Sequence, residues 1–367
     1  MPNKYLVVGQ KPPPVHGSNL MFSFFTETLN KLKHKVFVVE KDFSFDQKNI
    51  GKLSFRKIVK IPYIALNLIR QIYFEKFDLC FYFISIKKPS FYFDVLLLTI
   101  LYLTKTKYII YLHAIGINKL SKKSGLLTKF LTNFTMKNSS GVIIVAELLR
   151  GDVSSLFHNE KIFVLHNCFP DICNIKKTIK KSEKLPITVS FLSNLRPSKG
   201  VLEFLEIACK IKKNNDEVRF ILAGPARTDK ILFKVKSFIS NNELNKYINI
   251  IGPVYGSEKE NFFQETDIFL FPSKNEAFGL VNLEAMQWSL PIVASDVGAI
   301  PSIVRNGING FTMNYRDIDG LSEKVNILIQ NKELRTKMGT AGRKIFENEY
   351  SQEVYLKRVT EMLLFFK

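Results

Sequence analysis

Two acidic and two basic residues carry the most suggestive chemistry in this chain. Glu276 and Glu284 stand eight positions apart in Glu276-Ala277-Phe278-Gly279-Leu280-Val281-Asn282-Leu283-Glu284. Upstream, Arg196 and Lys199 frame the stretch Arg196-Pro197-Ser198-Lys199-Gly200. A helix starting at each stretch would offer free N–H groups to an anion, and Arg196 and Lys199 would add charge. Gly279 lets the backbone approach a ligand closely, with the N–H groups of Phe278, Gly279 and Leu280 turned towards it. Carboxylates beside a phosphate site repel the phosphate unless they accept hydrogen bonds from hydroxyls, so Glu276 and Glu284 point to a sugar. Taken singly, each cation reads equally well as a solvated charge and each Glu as a cap or a solvated helix residue. The combination in one pair of loops does not.

Those loops need strands to hold them. Apolar or β-branched runs at 4–8, 35–39, 78–84, 107–112, 141–145 and 162–165 alternate with amphipathic stretches, the pattern of a parallel sheet covered by helices. The pattern breaks at 170–186, where Pro170 and Pro186 bracket a lysine-rich stretch read as a linker. A second series follows, with strands expected at 187–193, 218–223, 248–251, 268–271, 291–294 and near 311–313. Helices are expected at about 199–213, 229–241, 257–264, 279–288 and 317–330. The fold class is α/β, with two doubly wound domains of similar size and a cleft between them. Ligands in such sheets bind beyond the carboxyl ends of the strands.

Composition narrows the class further. The chain has 367 residues, 46% of them apolar, enough for two cores and too apolar for a disordered protein. Residues 1–183 hold 28 Lys and Arg against 12 Asp and Glu, whereas residues 184–367 hold 25 against 21. Such asymmetry suggests an anionic partner for the first half. Cys80, Cys168, Cys173 and Cys209 have neither zinc-site spacing nor the density of a disulfide framework. The N-terminal apolar run is too short for a signal peptide and reads as a strand. Val95–Leu103 falls short of a membrane span and reads as a buried helix. These readings give a cytoplasmic protein, peripheral on the inner face of the cell membrane.

The order and spacing of the motifs resemble one known family. Glu276 to Glu284 forms an E-x7-E motif in an F-G-L context. With Arg196-Pro197-Ser198-Lys199-Gly200, Ala223-Gly224-Pro225, Pro291-Ile292-Val293-Ala294-Ser295, Gly298 and Asn306-Gly307-Ile308-Asn309-Gly310-Phe311, it is similar to glycosyltransferase family 4, also called glycosyl transferases group 1. The resemblance is strong over about 186–330 and weaker over 1–170. It implies the GT-B fold, two Rossmann-like domains facing each other across a cleft, and transfer of a sugar with retention of configuration. Residues 1–172 would form the acceptor-side domain, 173–186 the linker and 187–350 the nucleotide-sugar domain. A helix in 351–367 would cross back to the first domain.

The resemblance also implies roles. Arg196 and Lys199 would hold the donor diphosphate, with the backbone at Phe278, Gly279 and Leu280. Glu276 would contact the donor sugar and Glu284 the ribose hydroxyls. Pro253, Val254 and Tyr255 stand where the family holds the base. In Pro12-Pro13-Pro14-Val15-His16-Gly17-Ser18-Asn19, Gly17 matches the family's glycine-rich loop near the phosphates, and His16 replaces a glycine without an assigned role. His113, at a strand end, matches the histidine that reaches the transferred sugar. Glu276 is assigned sugar positioning rather than nucleophilic attack, and the leaving phosphate would assist deprotonation of the acceptor. Asp317-Ile318-Asp319 has the form of a metal-binding D-x-D, but it precedes a helix where Asp caps. No metal and no other cofactor is expected; the nucleotide sugar is a substrate.

Two cations suffice for a diphosphate, so the basic excess of the first half remains to be placed. Leu126, Leu127, Phe130, Leu131 and Phe134 share one helical stripe in 119–137, with Lys122, Lys129 and Lys137 off it. Residues 52–74 are also basic and apolar. Both fit an anionic membrane surface, with Lys119, Lys122, Lys123 and Lys129 facing it, and equally fit core helices with solvated lysines. Nucleic acid is not an expected partner, since no recognisable binding module is present. The expected activity moves a sugar from a UDP- or GDP-sugar to a saccharide on a polyprenyl diphosphate, in bacterial O-antigen, capsule or exopolysaccharide assembly. A nucleotide-sugar epimerase, a transferase using a soluble acceptor, and an idle binding module are the alternatives.

Overall fold

The computed structural model describes residues 2–13, 16–41, 55–171, 186–213 and 215–367. Pro14, Val15, Lys52, Cys173 and the rest of the expected linker up to 185 lie outside them, as do the side chains of Arg56 and Lys57. The chain divides into two compact units. One comprises Met1–Asn167 with Tyr355–Lys367, the other Cys168–Val354.

The first unit is built on six parallel strands: β1 (Lys4–Gly9), β2 (Lys35–Glu40), β3 (Leu79–Phe83), β4 (Tyr108–Leu112), β5 (Gly141–Ile144) and β6 (Ile162–Val164), in the order β2-β1-β3-β4-β5-β6. Central strands such as Leu79-Cys80-Phe81-Tyr82-Phe83 are apolar at every position because helices cover both faces. On one face lies α1 (Gly17–Lys31), whose Phe25 packs edge-on against Phe81 and Tyr111. The other face carries α2 (Phe55–Phe74), α3 (Lys88–Leu103) and α5 (Leu126–Lys137), which send Ile64, Leu68, Leu97, Leu98 and Met136 into a shared core. Two short helices, α4 (Ile117–Lys122) and α6 (Arg150–Val153), flank this layer.

One expectation changes here and another resolves. Val95–Leu103 is buried on one side only: Val95, Leu97, Leu98 and Leu101 are inside, whereas Leu96, Tyr102 and Leu103 face out. In α5 the apolar stripe, which from the sequence fits core or surface equally, lies mostly outside: Leu131 packs against the core and Phe134 is half-buried, but the rest face out. Thr128, Thr132 and Thr135 are buried, while Leu126, Leu127 and Phe130 are exposed. The threonines tolerate burial because their hydroxyls are satisfied: Thr132 donates to the Thr128 carbonyl and Thr135 to that of Leu131, and the Thr128 hydroxyl shares a hydrogen bond with that of Tyr92. Periodicity gave the amphipathic axis of α5, but not which side is inward.

A buried ion pair joins β2 to α3. The Lys41 ammonium reaches Asp94 and the Phe83 carbonyl at 2.6 Å each. Tyr82 and the Ser85 N–H also donate to Asp94, so every member is satisfied. Removing one partner would leave an uncompensated buried charge.

The second unit repeats the plan with β7 (Ile187–Leu192), β8 (Val218–Ala223), β9 (Ile248–Gly252), β10 (Ile268–Phe271), β11 (Ile292–Ser295) and β12 (Gly310–Met313). Their order is β12-β11-β10-β7-β8-β9, all parallel, with a topological switch between β10 and β7. The covering helices are α7 (Val201–Lys212), α8 (Asp229–Asn241), α9 (Gly256–Glu265), α10 (Leu280–Gln287), α11 (Ile300–Ile303), α12 (Ile318–Gln330) and α13 (Lys332–Ile345). After a π-helical turn at Phe346–Tyr350, α14 (Gln352–Phe365) begins, and from Tyr355 onward it belongs to the first unit. There Phe365 packs on Phe163, and the Tyr355 hydroxyl lies 3.4 Å from that of Tyr111.

Candidate active site

The switch point sets the site of the second unit, because the loops after β7 and β10 leave neighbouring strands there in opposite senses. The loop after β7 turns through a short 3-10 helix at Pro197–Lys199 and enters α7 at Gly200 with φ +82. A Cβ at Gly200 would stand 1.9 Å from the Pro272 carbonyl oxygen, so only glycine fits. The two loops also share hydrogen bonds: the Lys274 N–H and the Ser273 hydroxyl both donate to the Ser198 carbonyl.

This contact brings the expected residues together. Lys199 and Glu276 form an ion pair at 2.5 Å, both side chains largely shielded from water. Arg196 lies in the same field as Glu276 and Arg227; burial first, and then Arg227, hold its guanidinium below its ordinary pKa, while Glu276 opposes them. Its Nε is buried without a hydrogen-bond partner. Gly279, with φ +88, caps α10, whose first turn leaves N–H groups free beside Glu276. Phe278 is buried and packs edge-on against Tyr350, which anchors the loop, and Leu280 is half-buried.

Glu284 projects from the second turn of α10 and is buried. Burial pushes its carboxyl above the usual carboxylate range, and an ion pair with Lys259 of α9 pulls it back. The expected base residues precede α9. Tyr255 and Pro253 are exposed, whereas the Val254 side chain is buried, leaving Tyr255 as the aromatic surface a base could stack on.

Three further residues, His113, His16 and Gly17, belong to the first unit. His113 follows β4, and its ring stacks on Phe83 at 5.2 Å and leans on Tyr111 at 4.3 Å. Burial, then the nearby His16, lowers its pKa to about 3, so it is neutral at physiological pH; its Nε2 has no hydrogen-bond partner. His16 caps α1, with Nδ1 3.0 Å from the Ser18 hydroxyl and a pKa lowered to about 4 by burial and Lys87. Gly17 opens α1 and is exposed. Asp152 accepts from the N–H groups of Gly116, Ile117 and Asn118, fixing the loop that follows His113. Lys119, Lys122, Lys123 and Lys129 are all exposed.

Sequence reasoning passed over Lys259, Arg227 and Asn282. Both polar atoms of the buried Asn282 side chain lack partners, directly beneath Gly279. Its place two residues past Leu280, on the first turn of a helix already read as ligand-facing, was the available signal. Asp317 accepts from the Gly320 N–H and so caps α12, while Asp319 pairs with Lys210. Among the described residues, no three His, Cys, Asp or Glu side chains group so as to hold a metal.

Two parallel-sheet Rossmann-like units of this kind define the GT-B class. HepE from Anabaena, solved with UDP and glucose, has this fold: TM-score 0.73 at 16% identity, covering 98% of this chain and 99% of that one. Residues 174–345 match the family model of glycosyl transferases group 1. A glycosyltransferase of Methanocaldococcus jannaschii is 28% identical over 246 residues, 67% of this chain and 65% of that protein. The capsular polysaccharide biosynthesis glycosyltransferase CapM of Staphylococcus aureus is 26% identical over 176 residues, 47% of this chain. The alignments thus span less than two thirds of these relatives' own lengths, 65% and 45%.

Proposed function

We propose that this protein transfers a sugar, with retention of configuration and without a metal, from a UDP- or GDP-sugar to a saccharide carried on a polyprenyl diphosphate. The pathway would be assembly of a bacterial surface polysaccharide; the kinship with a capsular polysaccharide glycosyltransferase supports that direction. The observation that carries the reading is the Lys199–Glu276 pair set beside Arg196 and the free start of α10. A diphosphate would take over the cations and N–H groups, freeing Glu276 to accept from the sugar hydroxyls. The ribose would take a share of Glu284 from Lys259.

Charge develops on the leaving diphosphate as the glycosidic bond breaks. Preset donors oriented by the strand ends stabilise that charge without reorganising at the moment of reaction. The leaving phosphate would take the acceptor proton, and Glu276 would position the sugar. His113, uncharged and with Nε2 available, is suited to a neutral hydrogen bond to the sugar. Calorimetric titration with a panel of UDP- and GDP-sugars, followed by mass analysis of product from a polyprenyl-diphosphate-linked saccharide, tests the reading. It fails if no nucleotide sugar binds, or if a bound one is never transferred to a lipid-linked acceptor.

A further inference from the structure

The outer side of the α2–α3–α5 layer is unusual for a surface in contact with water. Tyr63, Leu66 and Tyr73 project from α2, Leu96 and Leu103 from α3, and Leu126, Leu127 and Phe130 from α5. Several are almost fully open: Leu126 is 87% exposed, Tyr73 83% and Leu103 72%. The three helices adjoin one another and cover the same face of one sheet. Tyr102 of α3 meets Phe134 of α5 ring to ring, which joins the exposed apolar side chains of these two helices, and α2 in turn packs against α3. Monomers seldom leave apolar patches of this breadth facing water. The orientation of α5 has the same meaning: its threonines are inside, while Leu126, Leu127 and Phe130 face away from the core and Leu131 packs inward.

The charges around this surface select its partner. Residues 55–140 contain fourteen Lys and Arg but only three Asp and Glu. Asp94 is buried against Lys41, and Glu75 and Asp78 bind Lys4, so none of the three is free to attract a cationic partner. Lys122, Lys123 and Lys129 rim the α5 end and make no ion pair among the described residues. A second copy of the chain would bring like charge against like. No helix among the described residues is long and apolar enough to cross a membrane.

We infer that the α2–α3–α5 face docks on an anionic phospholipid surface, inserting its leucines and aromatic rings among the acyl chains while the lysines meet the headgroups. The apolar side chains hold the protein there and the lysines bring it in. Helices with one apolar and one basic side lie in the interface in this manner, with a salt-sensitive attraction and a salt-resistant insertion. The inference deepens the proposed function and rests on it only for the lipid-linked substrate that the docked enzyme would meet.

Co-sedimentation with vesicles tests it, using 3:1 phosphatidylcholine–phosphatidylglycerol in 0.1 M and 0.5 M NaCl, with nucleotide-sugar binding and thermal melting as controls. The full chain is expected to pellet with vesicles in both salts. The double variant L127E/F130E is expected to lose at least tenfold in apparent affinity in both, with unchanged melting and donor binding, because both side chains are exposed. K122Q/K123Q is expected to lose about threefold, and only in 0.1 M NaCl. An unbound wild type, complete release at 0.5 M NaCl, or undiminished binding by L127E/F130E would each overturn the inference. So would a concentration-dependent dimer abolished by L127E/F130E, which would make a second copy the occupant. Vesicle binding without any sugar transfer would leave the docking face standing and defeat the proposed function instead.

Discussion

The cations of the second unit's loops and those beside the first unit's apolar face are held in opposite ways. In the second unit the cations nearest the site and its supports are matched: Lys199 with Glu276, Lys259 with Glu284, Lys274 with Glu203, and Arg343 with Asp171 and Glu347. In the first, Lys122, Lys123 and Lys129 beside the apolar face make no ion pair among the described residues. A matched cation is held at a fixed point and is suited to a ligand of defined shape, such as a diphosphate. Unmatched cations around an apolar patch have no fixed geometry and suit a surface whose charges can rearrange. Net charge alone does not separate these uses; pairing does.

The largest effect expected from breaking this contrast is on transfer. Lys199→Ala or Glu276→Ala should lower kcat by about a hundredfold or more, with the fold intact by circular dichroism. Near-normal turnover of either variant at saturating donor would remove the pair from the site. K122Q/K123Q, by contrast, should leave donor affinity within error in a calorimetric titration. Gly200→Ala should be next, destabilising the protein by about 2 kcal/mol or more in a urea titration, since the new methyl group would collide with Pro272 at a backbone angle glycine favours.

Lys259→Ala should have a smaller, pH-dependent effect. Burial already raises the Glu284 pKa and Lys259 restrains it, so the variant should keep its carboxyl protonated to higher pH. Donor affinity should then fall more at pH 6 than at pH 8, by a few-fold, in parallel titrations. A separate effect concerns stability in acid. His16 and His113 have folded pKa values of about 4 and about 3, below the unfolded value near 6.5. Between those limits the unfolded chain binds more protons, so stability is full above about pH 6.5 and declines as pH falls towards 3. Urea titrations at pH 7 and 4.5 should show that decline, and H16Q/H113Q should flatten it.

Much of this architecture was legible in the residues. Among the described residues all twelve strands lie where the apolar runs predict them, within a residue or two; the central ones are buried on both faces and read as continuous apolar segments. The Lys199–Glu276 contact joins two motifs that sequence reading had taken as one site, although the pairing itself required the sheet order. Lys259 was not legible: it lies 25 positions before Glu284, in a helix whose pattern is ordinary. The orientation of α5 was hidden for another reason. Threonine can satisfy its hydroxyl against its own helix, so a threonine stripe is as acceptable inside as a leucine stripe, and only packing against α3 decides.

The contact at Gly200 has a consequence for how such a protein can diverge. With no room for even a methyl group between Gly200 and Pro272, the loops after β7 and β10 behave as a keyed joint, and neither can lengthen or shift without displacing the other. The loop after β9 meets no such steric block: a side chain at Gly252 or Gly256 would face open space, and only the left-handed backbone angles of these two glycines, φ +75 and +51, restrict it. Changes in length should therefore accumulate around Tyr255, while the loops after β7 and β10 stay fixed.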